Sequence, residues 1–238
     1  MPDNWRDLAV ALQRALGSDI PSIAITFHDT VPPISPFDDP MPPAAADGRT
    51  GRVSAGCVFW MKATSRTFST LPEDHGNCSV GSLTHGMKSL AEVAGNDDVA
   101  ALLECGWVTM DAVPQIPVVR RRPAAVSYGP LADTPHDPDV VLLRLTARQL
   151  MVLSDALPGL RVEGKPQCHI VAAAKEQGEV VASVGCQLSR VRTGMSNGEM
   201  TCAIPAARLA EVVARLAQTA AADGAVAAYA SVDKARFA

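Results

Sequence analysis

The chain has 238 residues, 47% of them hydrophobic and 19% charged, with a formal net charge of -4 and a pI near 5.7. That composition is ordinary for a globular protein. The acidic balance supplies no dense basic face to displace counterions, so nucleic acid is not an expected partner. The N-terminus lacks a basic segment followed by an apolar one, and no apolar run approaches the roughly 18 residues of a membrane span. The expectation is a soluble, cytoplasmic protein with no membrane partner.

In chain order, Trp5, Leu8, Ala9, Leu12 and Leu16 recur at helical spacing with Gly17 just beyond them, which predicts an amphipathic helix over residues 4–16. Residues 22–28 read as a strand. Residues 30–55 hold six prolines (Pro32, Pro33, Pro36, Pro40, Pro42 and Pro43). Proline has no amide donor, so this stretch is predicted to stay out of the sheet, as a lid over the following segment or as a disordered insertion. Residues 57–63 and 67–70 read as the two strands of a hairpin. Residues 71–77 then deliver Cys78 to the start of a helix or tight turn, and Asn96 stands where it would cap a short helix through Leu103. Further strands are predicted at 117–120 and 124–128.

The polar, proline-containing stretch 133–139 reads as a connector, dividing one compact unit into a first half, residues 1–132, and a second, 133–238. In the second half Val140 to Leu145 reads as a strand and Thr146 as the cap of a helix to Leu157. Residues 168–174 and 179–184 read as a second hairpin. After Ile204-Pro205, a helix carries Leu209, Val212, Val213 and Leu216 on one face, and its alanine-rich end after Gly224 is expected to fray.

Six cysteines without a secretion signal read as thiols or metal ligands rather than as a disulfide framework. Four of them form a pattern that occurs twice. Cys57 opens an apolar run and Cys78 follows it; Cys168 opens another and Cys186 follows. From the second cysteine of each pair, apolar residues come two and five positions on (Val80 and Leu83; Leu188 and Val191), and Gly86-Met87 matches Gly194-Met195. Proline-led apolar runs from Pro21 and Pro138 precede the two units. The fold expected is α+β and internally duplicated, with two pseudo-symmetric halves that each carry a β-hairpin sheet and flanking helices. Equivalent residues would meet across a pseudo-two-fold axis, bringing Cys57, Cys78, Cys168 and Cys186 to one site. Cys105 and Cys202 fall outside the pattern and read as structural.

Asp74-His75-Gly76-Asn77-Cys78-Ser79-Val80-Gly81 with Gly86, Cys168, Ser183-Val184-Gly185-Cys186 with Arg190, and Gly198-Glu199-Met200 before Ile204-Pro205 together resemble the uncharacterised domain-of-unknown-function 169 family. The resemblance runs from about Pro21 to Leu216. It departs at Leu188, where the family usually has glycine. It implies the fold and singles out the cysteines, and it carries no reaction with it.

Thiolates select iron-sulfur clusters, zinc or cuprous copper over hard cations. The chain has no Cys-x-x-Cys, so a zinc ribbon or ferredoxin-type loop is excluded. The cofactor expected is an iron-sulfur cluster, 4Fe-4S ahead of other forms and zinc as the lesser choice, held by Cys57, Cys78, Cys168 and Cys186. Around it, His75 is the candidate for proton transfer, Arg190 and Arg192 for clamping a carboxylate or phosphate, and Glu199 for a carboxylate base or a helix cap. His85 and His169 read as bonded structural residues. The function expected is that of an iron-sulfur lyase or hydratase acting on a small anionic molecule through an open cluster iron. Two alternatives stand beside it: a metal-free module that binds a small molecule or cofactor and uses its cysteines for packing, and thiol catalysis by Cys78 beside His75. A duplicated unit satisfies its own symmetry, which leaves monomer and homodimer both open.

Overall fold

A computed structural model describes residues 5–39, 57–76 and 78–237. In chain order these residues form α1 (Trp5–Leu16), β1 (Ile23–His28), α2 (Cys57–Lys62), β2 (Phe68–Thr70), α3 (Ser79–Thr84), α4 (Leu90–Val93), α5 (Asp97–Glu104) and β3 (Ala125–Pro130). The second half continues with β4 (Val140–Leu145), α6 (Ala147–Ala156), β5 (Arg161–Glu163), α7 (His169–Gln177), β6 (Val181–Ser183), α8 (Gln187–Thr193), β7 (Met200–Pro205) and α9 (Leu209–Asp233). No helix among the described residues is long and apolar enough to cross a membrane.

The strands make one seven-stranded mixed sheet in the order β2-β3-β1-β4-β7-β6-β5. All neighbours run antiparallel except β5 and β6. At the centre β1 pairs with β4, Ala24 opposite Val141, flanked by Ile23 opposite Leu142 and Ile25 opposite Val140. On one side Ile23 faces Pro130 and Ile25 faces Tyr128, which in turn faces Phe68 on β2. On the other, Val140 faces Pro205 and Leu142 faces Ala203, which faces Val181 on β6. Pro130 and Pro205 each turn the chain into a single turn of 3-10 helix, and the next amide bonds back across the sheet: Leu131 N to Ser22 O, and Ala206 N to Asp139 O.

Side chains alternate along the strands, so each face has its own core. Val140 and Leu142 point to the face covered by α2 and α7. Val141, Leu143 and Leu145 point to the face covered by α1, α6 and α9. Asp139 ties the middle together, accepting from Phe27 N at 2.8 Å and pairing with Lys175 Nζ at 2.6 Å. α6 starts with the predicted cap: Thr146 accepts from Gln149 N, and Gln149 bonds back to Thr146 N at 2.8 Å.

The mixed α and β content stands as read, but the two hairpin sheets are corrected. The halves share one sheet, and both apolar runs that open with a cysteine are helices. Cys57, Trp60 and Ala63 are buried at helical spacing in and just beyond α2, and residues 169–174 of α7 are buried on every side. A short run that is apolar all round carries no period with which to tell helix from strand. Residues 117–120 are not a strand either; Val119 N instead bonds to Thr84 O at 3.0 Å.

Within the proline-rich stretch, residues 40–56 lie outside the described residues. Pro36 does join the sheet as a parallel bridge to Ser69. Its neighbours make the bonds, Ser69 N to Ser35 O and Phe37 N to Ser69 O, so the missing amide of Pro36 costs nothing there. The alanine-rich end of α9 stays helical through Asp233, with Val226, Tyr229 and Val232 exposed.

Candidate functional site

Each of the four paired cysteines stands at the start of a helix. Cys57 is the first residue of α2 and Cys168 immediately precedes α7, both on the sheet face carrying the aromatic core. Cys78 and Cys186 precede α3 and α8 in extended conformation. α2 packs against α8 and α3 against α7, which crosses the halves and brings the four helix starts together. All four cysteines line one narrow cleft of about 20 Å³. Cys57 and Cys168 are buried and form its floor; Cys78 and Cys186 are half-buried at its rim. Leu188, Trp107 and Arg192 complete the walls.

Two of the four sulfurs have N–H donors. Gln167 Nε2 donates to Cys57 Sγ at 3.2 Å and to Met195 Sδ at 3.5 Å. Gly81 N donates to Cys78 Sγ at 3.4 Å. At Cys186, Sγ lies 3.7 Å from Ser189 Oγ. Burial pushes the Cys57 thiol up, with Cys186 adding to the rise and the Gln167 bond opposing it. The Cys168 thiol is driven well above its ordinary value by burial and then by Cys57 and Cys78. Burial also raises Cys78, against the pull of Gly81 N and Arg192. Without a metal these three sulfurs are therefore protonated at neutral pH, unlike the lowered thiols of nucleophilic enzymes.

Four thiols on one cleft, two of them with N–H donors aimed at sulfur, offer the soft ligands a thiolate metal centre uses. Among the described residues, no three His, Cys, Asp or Glu side chains are arranged to hold a single ion. A mononuclear thiolate site needs sulfurs about 2.3 Å from one point.

The other candidates sit apart from the cleft walls. His75 is buried, its Nε2 2.9 Å from Thr70 Oγ1 and its ring against Phe59. Burial holds its imidazole neutral, well below the usual histidine range, with His85 acting in the same direction. His85, lowered to about 4 by burial, bonds through Nδ1 to Gly81 O at 3.0 Å. Arg190 uses Nη2 to gather the carbonyls of Val184, Asn197 and Glu199 at 3.0, 3.1 and 2.9 Å, which makes it a loop clamp. Glu199 forms a two-bond pair with Arg144 at 2.6 and 2.7 Å and caps no helix. His169 pairs with Glu163. Cys202 is buried in the opposite core, and Cys105 is exposed at the end of α5.

Sequence reasoning missed Gln167, and it offered Arg190 and Arg192 together as anion clamps, of which only Arg192 lines the cleft. A polar residue wedged between Pro166 and Cys168, immediately ahead of an apolar run, is the signal that marks Gln167. Arg192 is two residues beyond Arg190, on the side of α8 that meets the cleft.

A sheet shared by two halves, with a four-cysteine cleft on one face, defines a mixed α/β protein built around soft donors. The chain belongs to the domain-of-unknown-function 169 family, described as uncharacterised ArCR, which matches residues 11–215. No curated protein and no solved structure matched the chain.

Proposed function

We propose that the chain is an internally duplicated iron-sulfur protein, with a 4Fe-4S cluster held by Cys57, Cys78, Cys168 and Cys186. The observation that carries the reading is the convergence of all four cysteines on one cleft. The sheet supports the duplication. Its order mirrors about the β1–β4 line: β1 corresponds to β4, β3 to β7 and β2 to β6, and the registers agree residue for residue. Under that correspondence the floor is one equivalent pair of cysteines and the rim is the other. Gly86 and Gly194, each eight residues past its rim cysteine, share a φ of +70°. A cluster spreads its ligands more widely than one ion does, which agrees with cysteines that share a wall without closing on a point.

Four thiolates close the cluster and make electron transfer the fitting role. The lyase version needs one cysteine withdrawn and a substrate group at the rim. Arg192 lines the cleft there, whereas His75, Arg190 and Glu199 lie off its walls in local bonds. The raised thiols of Cys57 and Cys168 favour a second reading, a metal-free module with packing cysteines.

Anaerobic purification with a visible spectrum and iron and sulfide analysis decides between them. The expected result is a brown protein absorbing near ~400 nm, with about four iron and four sulfide per chain. A colourless protein that takes up no iron on reconstitution rejects the cluster; zinc in the same assay indicates a mononuclear site, and no metal leaves the binding module.

A further inference from the structure

A second cavity opens on the far end of α3, away from the cysteines. It has about 380 Å³, within the size range of small-molecule sites. Leu83, Leu90, Ile116 and Val118 give it an apolar wall, and Leu90 is exposed. Its cations are Lys88, Arg120 and Arg122, and among the described residues no carboxylate lines it. Arg122 reaches out to Glu92, and Arg120 lies 3.8 Å from Glu176. Lys88 has no ion pair among the described residues.

The walls are fixed to one another by backbone. Val119 N bonds to Thr84 O at 3.0 Å, and Gly86 at φ +70° passes so near that a Cβ would stand 2.5 Å from Val119 O. This is a concave site with apolar sides, a positive rim and a fixed frame, the combination that selects a ligand with an apolar body and an anionic head. We propose that this cavity binds a small amphipathic anion, a carboxylate or a phosphate ester. The site stands whether or not the cysteines hold a cluster.

The test is a fluorescence titration of the purified full chain with anilinonaphthalene sulfonate. The expected result is saturable binding of one dye per chain that weakens with salt. Lys88→Glu weakens it about tenfold, a change of ~1.4 kcal/mol. Val118→Trp, which fills the cavity, abolishes it, whereas Leu188→Trp in the cysteine cleft leaves it unchanged. Displacement by phenyl phosphate or by benzoate then identifies the head group. Unsaturable binding, a Lys88→Glu variant that binds as well as the parent, or loss with Leu188→Trp alone overturns the proposal. Lys88 sits at the partly exposed rim, so its variant keeps the test decisive if the tryptophan variant fails to fold.

Discussion

The two ends of the sheet fill the same frame with opposite materials. Around β2 the space under α2 is packed by Phe37, Phe59, Phe68 and Tyr128, rings 5.0 to 6.1 Å apart. Around β6 the corresponding places hold Val181 and Ala203, and α7 presents Ala173 and Ala174. Large rings hold α2 off the sheet and small residues let α7 lie close, yet both helices start with a cysteine at the same cleft. Packing is therefore free to differ as long as the helix starts are kept. The connections differ as well. Residues 85–124 separate α3 from β3 and build α4, α5 and the second cavity, whereas residues 194–199 suffice between α8 and β7. The frame supplies what the halves have in common, and the long first-half arm supplies what only one of them has.

The strongest way to break this comparison is to substitute within the cysteine pairs. Cys57→Ser and Cys168→Ser are each expected to abolish cluster incorporation, and Cys78→Ser and Cys186→Ser to match each other. Iron per chain after anaerobic reconstitution checks this, and unequal losses inside a pair refute the equivalence. Next come Phe68→Ala and Val181→Ala, at corresponding places on β2 and β6 under the proposed duplication. The first is expected to cost about 3–5 kcal/mol and the second about 1–2 kcal/mol, measured by urea unfolding; equal costs would show that the two ends are not packed differently. Glu199→Gln leaves the partly buried Arg144 without its charged partner and is expected to cost ~3 kcal/mol with little change in iron content.

The first-half histidines sharpen the contrast through pH. His85 titrates at about 4 when folded and near 6.5 when unfolded, so below pH 6.5 the unfolded chain takes up a proton that the folded one refuses. Stability is full above pH 6.5 and falls as the pH drops, by about 3 kcal/mol at pH 4 for His85 alone. His75 adds in the same direction. Urea midpoints for the parent and His85→Gln at pH 7 and pH 4.5 check it; the same acid loss in both would remove His85 from the account. Thr146→Ala, which removes one cap from the second half, is the smallest effect, ~1 kcal/mol.

Elements whose residues alternate or cycle were legible in the sequence. α1, β1, β4 and α6 fall within a residue or two of the expected bounds, the helices because each has one buried and one wet side, and the strands because each is a short apolar run set off by a preceding proline. α2 and α7 were misread because each opens with a near-continuous apolar run, which hides the period. β5 and the Pro36 bridge were missed because three residues or one leave no pattern. The cysteines were legible because they recur at matching offsets. The surroundings of His75, Arg190 and Glu199 were not, because their partners Thr70, Val184 and Arg144 are set by how the chain folds back.

The central β1–β4 seam has a further consequence. Its bonds, the Asp139 contacts to Phe27 and Lys175, and the packing of α1 on α9 all join the halves without using the peptide link through residues 133–138. The link is exposed at Pro135 to Asp137 and carries little of the packing. A chain cut there is held by its own seam, so the molecule is divisible. Two separately made fragments are expected to find each other and rebuild the cysteine cleft, which would make assembly of the proposed metal centre a reporter for reunion of the halves.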